Sequence, residues 1–149
     1  MIERARGNLL DADVDALVNA VNCVGVMGKG IAAQFKTRFP GAFQDYARAC
    51  KAGDVRPGRM HVVDTGSSAP RFVINFPTKR HWRESSRLED IESGLRALAD
   101  EVKARRIRSI AVPALGCGLG GLAWDDVAPR IDGTFAALKN VRALLFEPG

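Results

Sequence analysis

The stretch that decides the fold runs from Asp15 to Ile31. Asp15-Ala16-Leu17-Val18-Asn19-Ala20-Val21 is a short apolar run that reads as a buried strand. Asn22-Cys23-Val24-Gly25-Val26-Met27-Gly28-Lys29-Gly30-Ile31 then forms a glycine-rich turn leading straight into a helix. The same plan recurs downstream. Ile107 to Pro113 reads as a strand, Ala114-Leu115-Gly116-Cys117-Gly118-Leu119-Gly120-Gly121 as its turn, and a helix follows. Glycines let backbone N–H groups converge on an anion and let a ligand approach closely. The dipole of the following helix favours negative charge. A single loop of this kind reads equally well as a tight turn; two in equivalent positions on one sheet can grip a diphosphate from both sides. Neither matches GxxxxGK[ST], and neither is a clean GxGxxG with an acidic residue at dinucleotide spacing.

Met60 to Asp64 and Arg71 to Phe76 flank Gly66-Ser67-Ser68-Ala69-Pro70 and read as two strands around a turn. Val141 to Phe146 is a further strand, and Ile2 to Arg6 an edge strand. Helices are expected over Ile31 to Arg38, stopping before Pro40, and over Phe43 to Lys51, stopping at Gly53. Leu88, Ile91, Leu95, Leu98 and Val102 recur at helical spacing, which predicts a helix from Leu88 to Arg105. Trp124 to Leu138 is the last. Strands alternating with helices predict an α/β domain over residues 1–149, with a central mixed sheet of about six strands sandwiched between helices. Ligands of such sheets bind beyond the carboxyl ends of the strands.

The 149 residues suit one domain, and 46% hydrophobic against 26% charged residues suits a globular protein. No apolar run is long enough to cross a bilayer, and Met1-Ile2-Glu3-Arg4-Ala5-Arg6 lacks a signal-peptide core. These features predict a cytoplasmic protein with no membrane partner. Cys23, Cys50 and Cys117 show no CxxC spacing, so neither a disulfide framework nor a metal site is expected. The net charge of +5 favours polyanionic partners, though weakly.

Val18-Asn19-Ala20-Val21-Asn22 followed by Gly28-Lys29-Gly30-Ile31-Ala32 resembles the first ribose- and phosphate-binding loop of macrodomains, and Ala114-Leu115-Gly116-Cys117-Gly118 resembles their second. The likeness runs from Gly7 to about Pro148. Asn22 to Gly30 and Ile74-Asn75-Phe76-Pro77-Thr78-Lys79-Arg80-His81-Trp82-Arg83 are closest to one branch, the DarG-type DNA ADP-ribosyl glycohydrolases, which are antitoxins. This resemblance implies that the chain binds ADP-ribose. The expected ADP-ribose contacts are Asn8, Leu9, Val26, Met27, Gly28, Lys29, Gly30, Ile31, Thr78, Leu115, Gly116, Cys117, Gly118, Leu119, Gly120 and Phe146. Asn8 stands where the family usually carries an adenine-reading aspartate; it can accept a hydrogen bond without charge, or merely shape the turn. Phe146 either packs on adenine or is plain core. Asn22 is expected to hold the distal ribose, with a local Asx turn as the alternative. Cys117 reads as a small residue packed beside phosphate, since no catalytic histidine accompanies it.

The resemblance also places a catalytic lysine at Lys79, with Asn22 beside it. A free lysine has a pKa of about 10.4 and is a poor nucleophile at neutral pH. Burial and neighbours such as Arg80 can lower that value, so that a neutral Lys79 attacks the anomeric carbon of the distal ribose. A charged Lys79 acts instead as acid or electrostatic stabiliser. Related protein glycohydrolases carry a resolving aspartate shortly after Gly-Cys-Gly, where this chain has Gly120 and Gly121. Metal-independent chemistry without a cofactor is expected. Arg80, His81, Trp82 and Arg83 combine positive charge with an aromatic surface, as single-stranded nucleic acid requires. The implied substrate is single-stranded DNA ADP-ribosylated on thymidine, and the implied partner a DarT-type toxin, bound through a further C-terminal domain. On that reading the chain is the catalytic domain of a longer protein and a monomer. The alternatives are a non-catalytic ADP-ribose reader, a hydrolase of ADP-ribosylated protein, or a regulatory module for another nucleotide.

Overall fold

A computed structural model describes residues 1–149. The chain forms β1 (Ile2–Ala5), β2 (Ala16–Asn22), α1 (Gly30–Arg38), α2 (Pro40–Lys51), β3 (His61–Asp64), β4 (Phe72–Lys79), α3 (Leu88–Ala104), β5 (Ser109–Val112), α4 (Trp124–Ala136) and β6 (Arg142–Phe146). One six-stranded sheet runs in the order β1-β6-β5-β2-β4-β3. Five strands are parallel, and β3 is antiparallel to β4. The sheet is therefore mixed, as the sequence predicts, and the expected strand pair around residues 66–70 is present.

Alternation along the strands supplies a core on each face. Ala16, Val18, Ile74, Phe76, Ile110 and Val112 pack with α3 and α4 through Ile91, Leu95, Leu98, Ile131 and Phe135. Leu17, Val73 and Ala111 face the other way and pack with Leu9, Leu10 and Phe35. A third cluster of Val21, Met27, Ala32, Tyr46 and Val55 seats the first glycine loop against α2. Gly94 lets α3 lie directly on the sheet: a Cβ there would stand 2.3 Å from Phe76 Cζ.

Two boundaries differ from the sequence reading by three residues, and the others by no more than two. Helix α2 begins at Pro40, because proline suits the first helical position, where no N–H is needed. Strand β4 continues past Phe76 to Lys79, although Pro77 interrupts its N–H pattern. Its partner β3 pairs only as far as Asn75, so the final residues of β4 are laddered to β2 alone. There the register slips: Val21 faces Pro77, but Asn22 faces Lys79, which leaves Thr78 as an extra residue. The bulge accommodates the proline and carries β4 to the mouth of the cleft. No helix is long and apolar enough to cross a membrane.

Candidate functional site

The carboxyl ends of β2, β4, β5 and β6 open onto two adjoining cavities that share Ile31, Pro113 and Ala114. The larger has a volume of about 690 Å³ and is lined by both glycine loops and the end of β4. The smaller, about 430 Å³, lies between Gly7-Asn8-Leu9, Gln34 and Phe146-Glu147-Pro148. Together they make a continuous groove with the dimensions of a ligand site.

Of the expected ADP-ribose contacts, Val26, Gly28, Lys29, Gly30, Ile31, Thr78, Gly116, Cys117, Leu119 and Gly120 line the larger cavity, with Asn22 and Lys79. Asn8, Leu9 and Phe146 line the smaller one. Three expected contacts fall elsewhere. Met27 is buried in the α2 cluster, with its sulfur 3.8 Å from Asn19 Nδ2. Leu115 is fully buried in the main core. Gly118 belongs to neither lining, because the second loop turns it to open space.

The first loop is built around Asn22. Its Oδ1 accepts from Val24 N at 3.1 Å and Val26 N at 3.3 Å, while its Nδ2 donates to the Val26 carbonyl at 2.7 Å. The buried Tyr46 hydroxyl donates to the Asn22 main-chain carbonyl at 2.7 Å. Asn22 thus braces the loop as an Asx turn, with one side-chain N–H not bonded to the protein. Asn8 is similarly engaged. Its Oδ1 accepts from Leu10 N and caps the 3-10 turn Leu9–Asp11, and its Nδ2 donates to Gln34 Oε1 at 3.1 Å.

The second loop needs glycine for space. A Cβ at Gly116 would stand 2.8 Å from Leu122 Cδ1, and one at Gly120 would stand 2.4 Å from Ser86 Oγ. Ser86 N donates to the Gly120 carbonyl at 2.9 Å, which ties the segment after β4 to this loop. Cys117 is partly buried, and burial pushes its thiol up, which leaves it largely protonated at neutral pH.

Lys79 closes β4, with Nζ donating to the Trp82 carbonyl at 3.4 Å. Of the four residues expected to touch nucleic acid, Trp82 and Arg83 line the cleft. Trp82 is 45% exposed, its ring stacked with His81 and covered by the Arg83 guanidinium 4.6 Å from the centroid. Arg80 and His81 do not line it. Arg80 makes a two-pronged contact with Asp90, 3.2 Å on each prong. Asp90 sits buried in the first turn of α3, and a buried carboxylate demands a partner. That contact raises the pKa of Arg80. His81 Nδ1 accepts from Arg83 N and fixes the turn.

Sequence reasoning missed Gln34, Glu84, Ser85 and Glu147, all of which line the groove. Gln34 lies three residues after Ile31 on α1, so helical spacing alone places it on the same face. Glu84 directly follows the basic-aromatic string.

The macro domain model matches residues 18–131 of the chain. The chain belongs to the macrodomain family. This macrodomain is 52% identical over 149 residues to a DNA ADP-ribosyl glycohydrolase of Thermus aquaticus, covering 99% of this chain and 41% of that protein. The chain thus spans about two fifths of the length of the curated relatives it matches. It superimposes on the macrodomain of Mycobacterium tuberculosis DarG with a TM-score of 0.99 at 52% identity, covering 100% of this chain and 99% of that one. It also matches Thermosipho africanus DarTG in complex with ADP-ribose, with a TM-score of 0.90 at 35% identity, covering 98% of this chain and 42% of that one.

Proposed function

We propose that this macrodomain removes ADP-ribose from bases of single-stranded DNA and counteracts a DarT-type transferase toxin. The observation that carries this reading is the place of Lys79. It stands at the end of β4, in the same cavity as both glycine loops and directly across from Asn22. The diphosphate lies between the backbone amides of the two loops, at the N-terminus of α1. Adenine enters the smaller cavity beside Phe146, and the distal ribose points towards Lys79. Val26, Trp82 and Leu119, three of the few large apolar side chains left exposed, ring this mouth. With Lys29 and Arg83 they give the lip an apolar and cationic character suited to unstacked bases and their phosphates. Lys79 makes no ion pair, and its weak bond to the Trp82 carbonyl is easily exchanged for a substrate atom. The likeness to a Thermus aquaticus protein named as a DNA ADP-ribosyl glycohydrolase, and to a Thermosipho africanus protein in complex with ADP-ribose, supports the same reading.

The test is incubation with a single-stranded oligonucleotide ADP-ribosylated on thymidine, wild type beside Lys79→Ala. Release of ADP-ribose by the wild type alone supports the reading. Tight ADP-ribose binding without release would make the domain a reader, and release from modified protein but not from DNA would make it a protein hydrolase.

A further inference from the structure

Glu84 is the only carboxylate among the side chains that line the cavity holding Lys79, and no histidine lines it. Hydrolysis of a glycosidic bond needs a proton donor for the departing base and a proton acceptor for the attacking water. Lys79 supplies one of these groups. The second loop does not supply the other, since Ser86 occupies the space that a side chain at position 120 would need: a Cβ there would stand 2.4 Å from Ser86 Oγ and 3.1 Å from Ser86 Cβ. The same Ser86 clamps its segment to the loop through its N–H to the Gly120 carbonyl. Two residues earlier, Glu84 N donates to the His81 carbonyl at 3.0 Å, closing the turn that holds Glu84 in the cavity lining. Glu84 makes no ion pair with the cations before it: Arg80 is held by Asp90 and feels the Glu84 charge only as a weaker influence, and Arg83 lies over the Trp82 ring.

We propose that Glu84 is the general base of this cleft, a role that rests on the glycohydrolase reading above. A water molecule forms its bond to the anomeric carbon of the distal ribose while passing a proton to the Glu84 carboxylate. The bond from that carbon to the modified base breaks, its electron pair stays on the base, and the Lys79 ammonium delivers a proton there. ADP-ribose with a free anomeric hydroxyl and the unmodified base are the products. Proton transfer from Glu84 to Lys79 through solvent restores both groups.

The experiment compares wild type, Glu84→Gln, Glu84→Ala and Lys79→Ala on ADP-ribosylated oligonucleotide, with ADP-ribose affinity measured on each by calorimetry. Removing the base lowers single-turnover release by about 100-fold or more, with ADP-ribose affinity within severalfold of wild type. Azide attacks without losing a proton, so added sodium azide restores release in Glu84→Ala, as ADP-ribosyl azide, but not in Lys79→Ala. Wild-type release rates in Glu84→Gln, or a slow Glu84→Ala that azide does not rescue, would overturn the role of Glu84 and leave the glycohydrolase reading standing. Absence of release by the wild type would overturn both.

Discussion

Asn22 and Lys79 stand opposite one another in the parallel β2–β4 ladder, one residue out of the register kept by the rest of that pair. The slip is absorbed by Thr78, buried with its hydroxyl 3.4 Å from the Val21 carbonyl. Loop brace and amine therefore share one rigid piece of sheet. The first glycine loop, held by Asn22, cannot shift far without breaking its bonds to Val24 and Val26.

Because Lys79 sits at a strand end and not in either phosphate loop, removing its amine should separate chemistry from binding. Lys79→Ala is expected to lower release by about 100-fold or more, with ADP-ribose affinity within severalfold of wild type. Rapid-quench kinetics beside calorimetry checks both halves.

Gly28 lines the cavity, and a Cβ there meets only Val26 Cγ1 at an ordinary 3.7 Å. Gly28→Glu is therefore expected to fold, but to place a carboxylate beside the bound diphosphate. A loss of at least about tenfold in ADP-ribose affinity, about 1.4 kcal/mol, should appear in calorimetry with the melting temperature little changed. Gly118→Glu should act more weakly, since Gly118 lies outside both cavities.

The basic string after β4 should divide in two. Trp82→Ala is expected to weaken single-stranded oligonucleotide binding by about 1–3 kcal/mol, the usual worth of one stacked base. Arg83→Ala should weaken it and flatten the salt dependence. Arg80→Ala should leave salt dependence nearly unchanged and instead lower stability, by stranding the buried Asp90. Fluorescence titrations at several salt concentrations, with thermal melts, distinguish the three.

Much of this was legible in the sequence. The two glycine loops, their strands and α3 are marked by local pattern, glycine spacing and apolar periodicity. What stayed hidden depends on tertiary neighbours. Nothing local shows that Asp90, eleven residues past Lys79, claims Arg80, or that Met27 and Leu115 turn inward from the two glycine loops. The run of β4 through Pro77 is invisible locally because its ladder partner lies far away in β2. Gly120 reads as a missing acid until Ser86 is seen filling its side-chain space.

The cysteines should be slow to react. Burial, and then neighbouring Cys50, pushes the Cys23 thiol up to about 11, and burial raises Cys117 as well. Alkylation by iodoacetamide at neutral pH is expected to be slower at both than for a free cysteine, and to speed up as pH rises and the thiolates form. Peptide-resolved mass spectrometry reads the rates. Cys117→Ser should retain turnover within severalfold.

Close packing at Gly94 gives a stability test remote from the chemistry. Gly94→Ala forces a methyl group against the Phe76 ring, where its carbon would stand 2.3 Å from Cζ. Overpacking of this kind costs about 1–3 kcal/mol, readable as a lower urea midpoint with an unchanged slope.

The position of bound ADP-ribose decides whether the two loops and Lys79 form one site, and a crystal structure of the complex reads it. The expected result is a diphosphate between Gly28–Gly30 and Gly116–Gly120, with the anomeric carbon of the distal ribose turned to Lys79 Nζ. A ligand outside these two loops, or a distal ribose directed away from that amine, would contradict it.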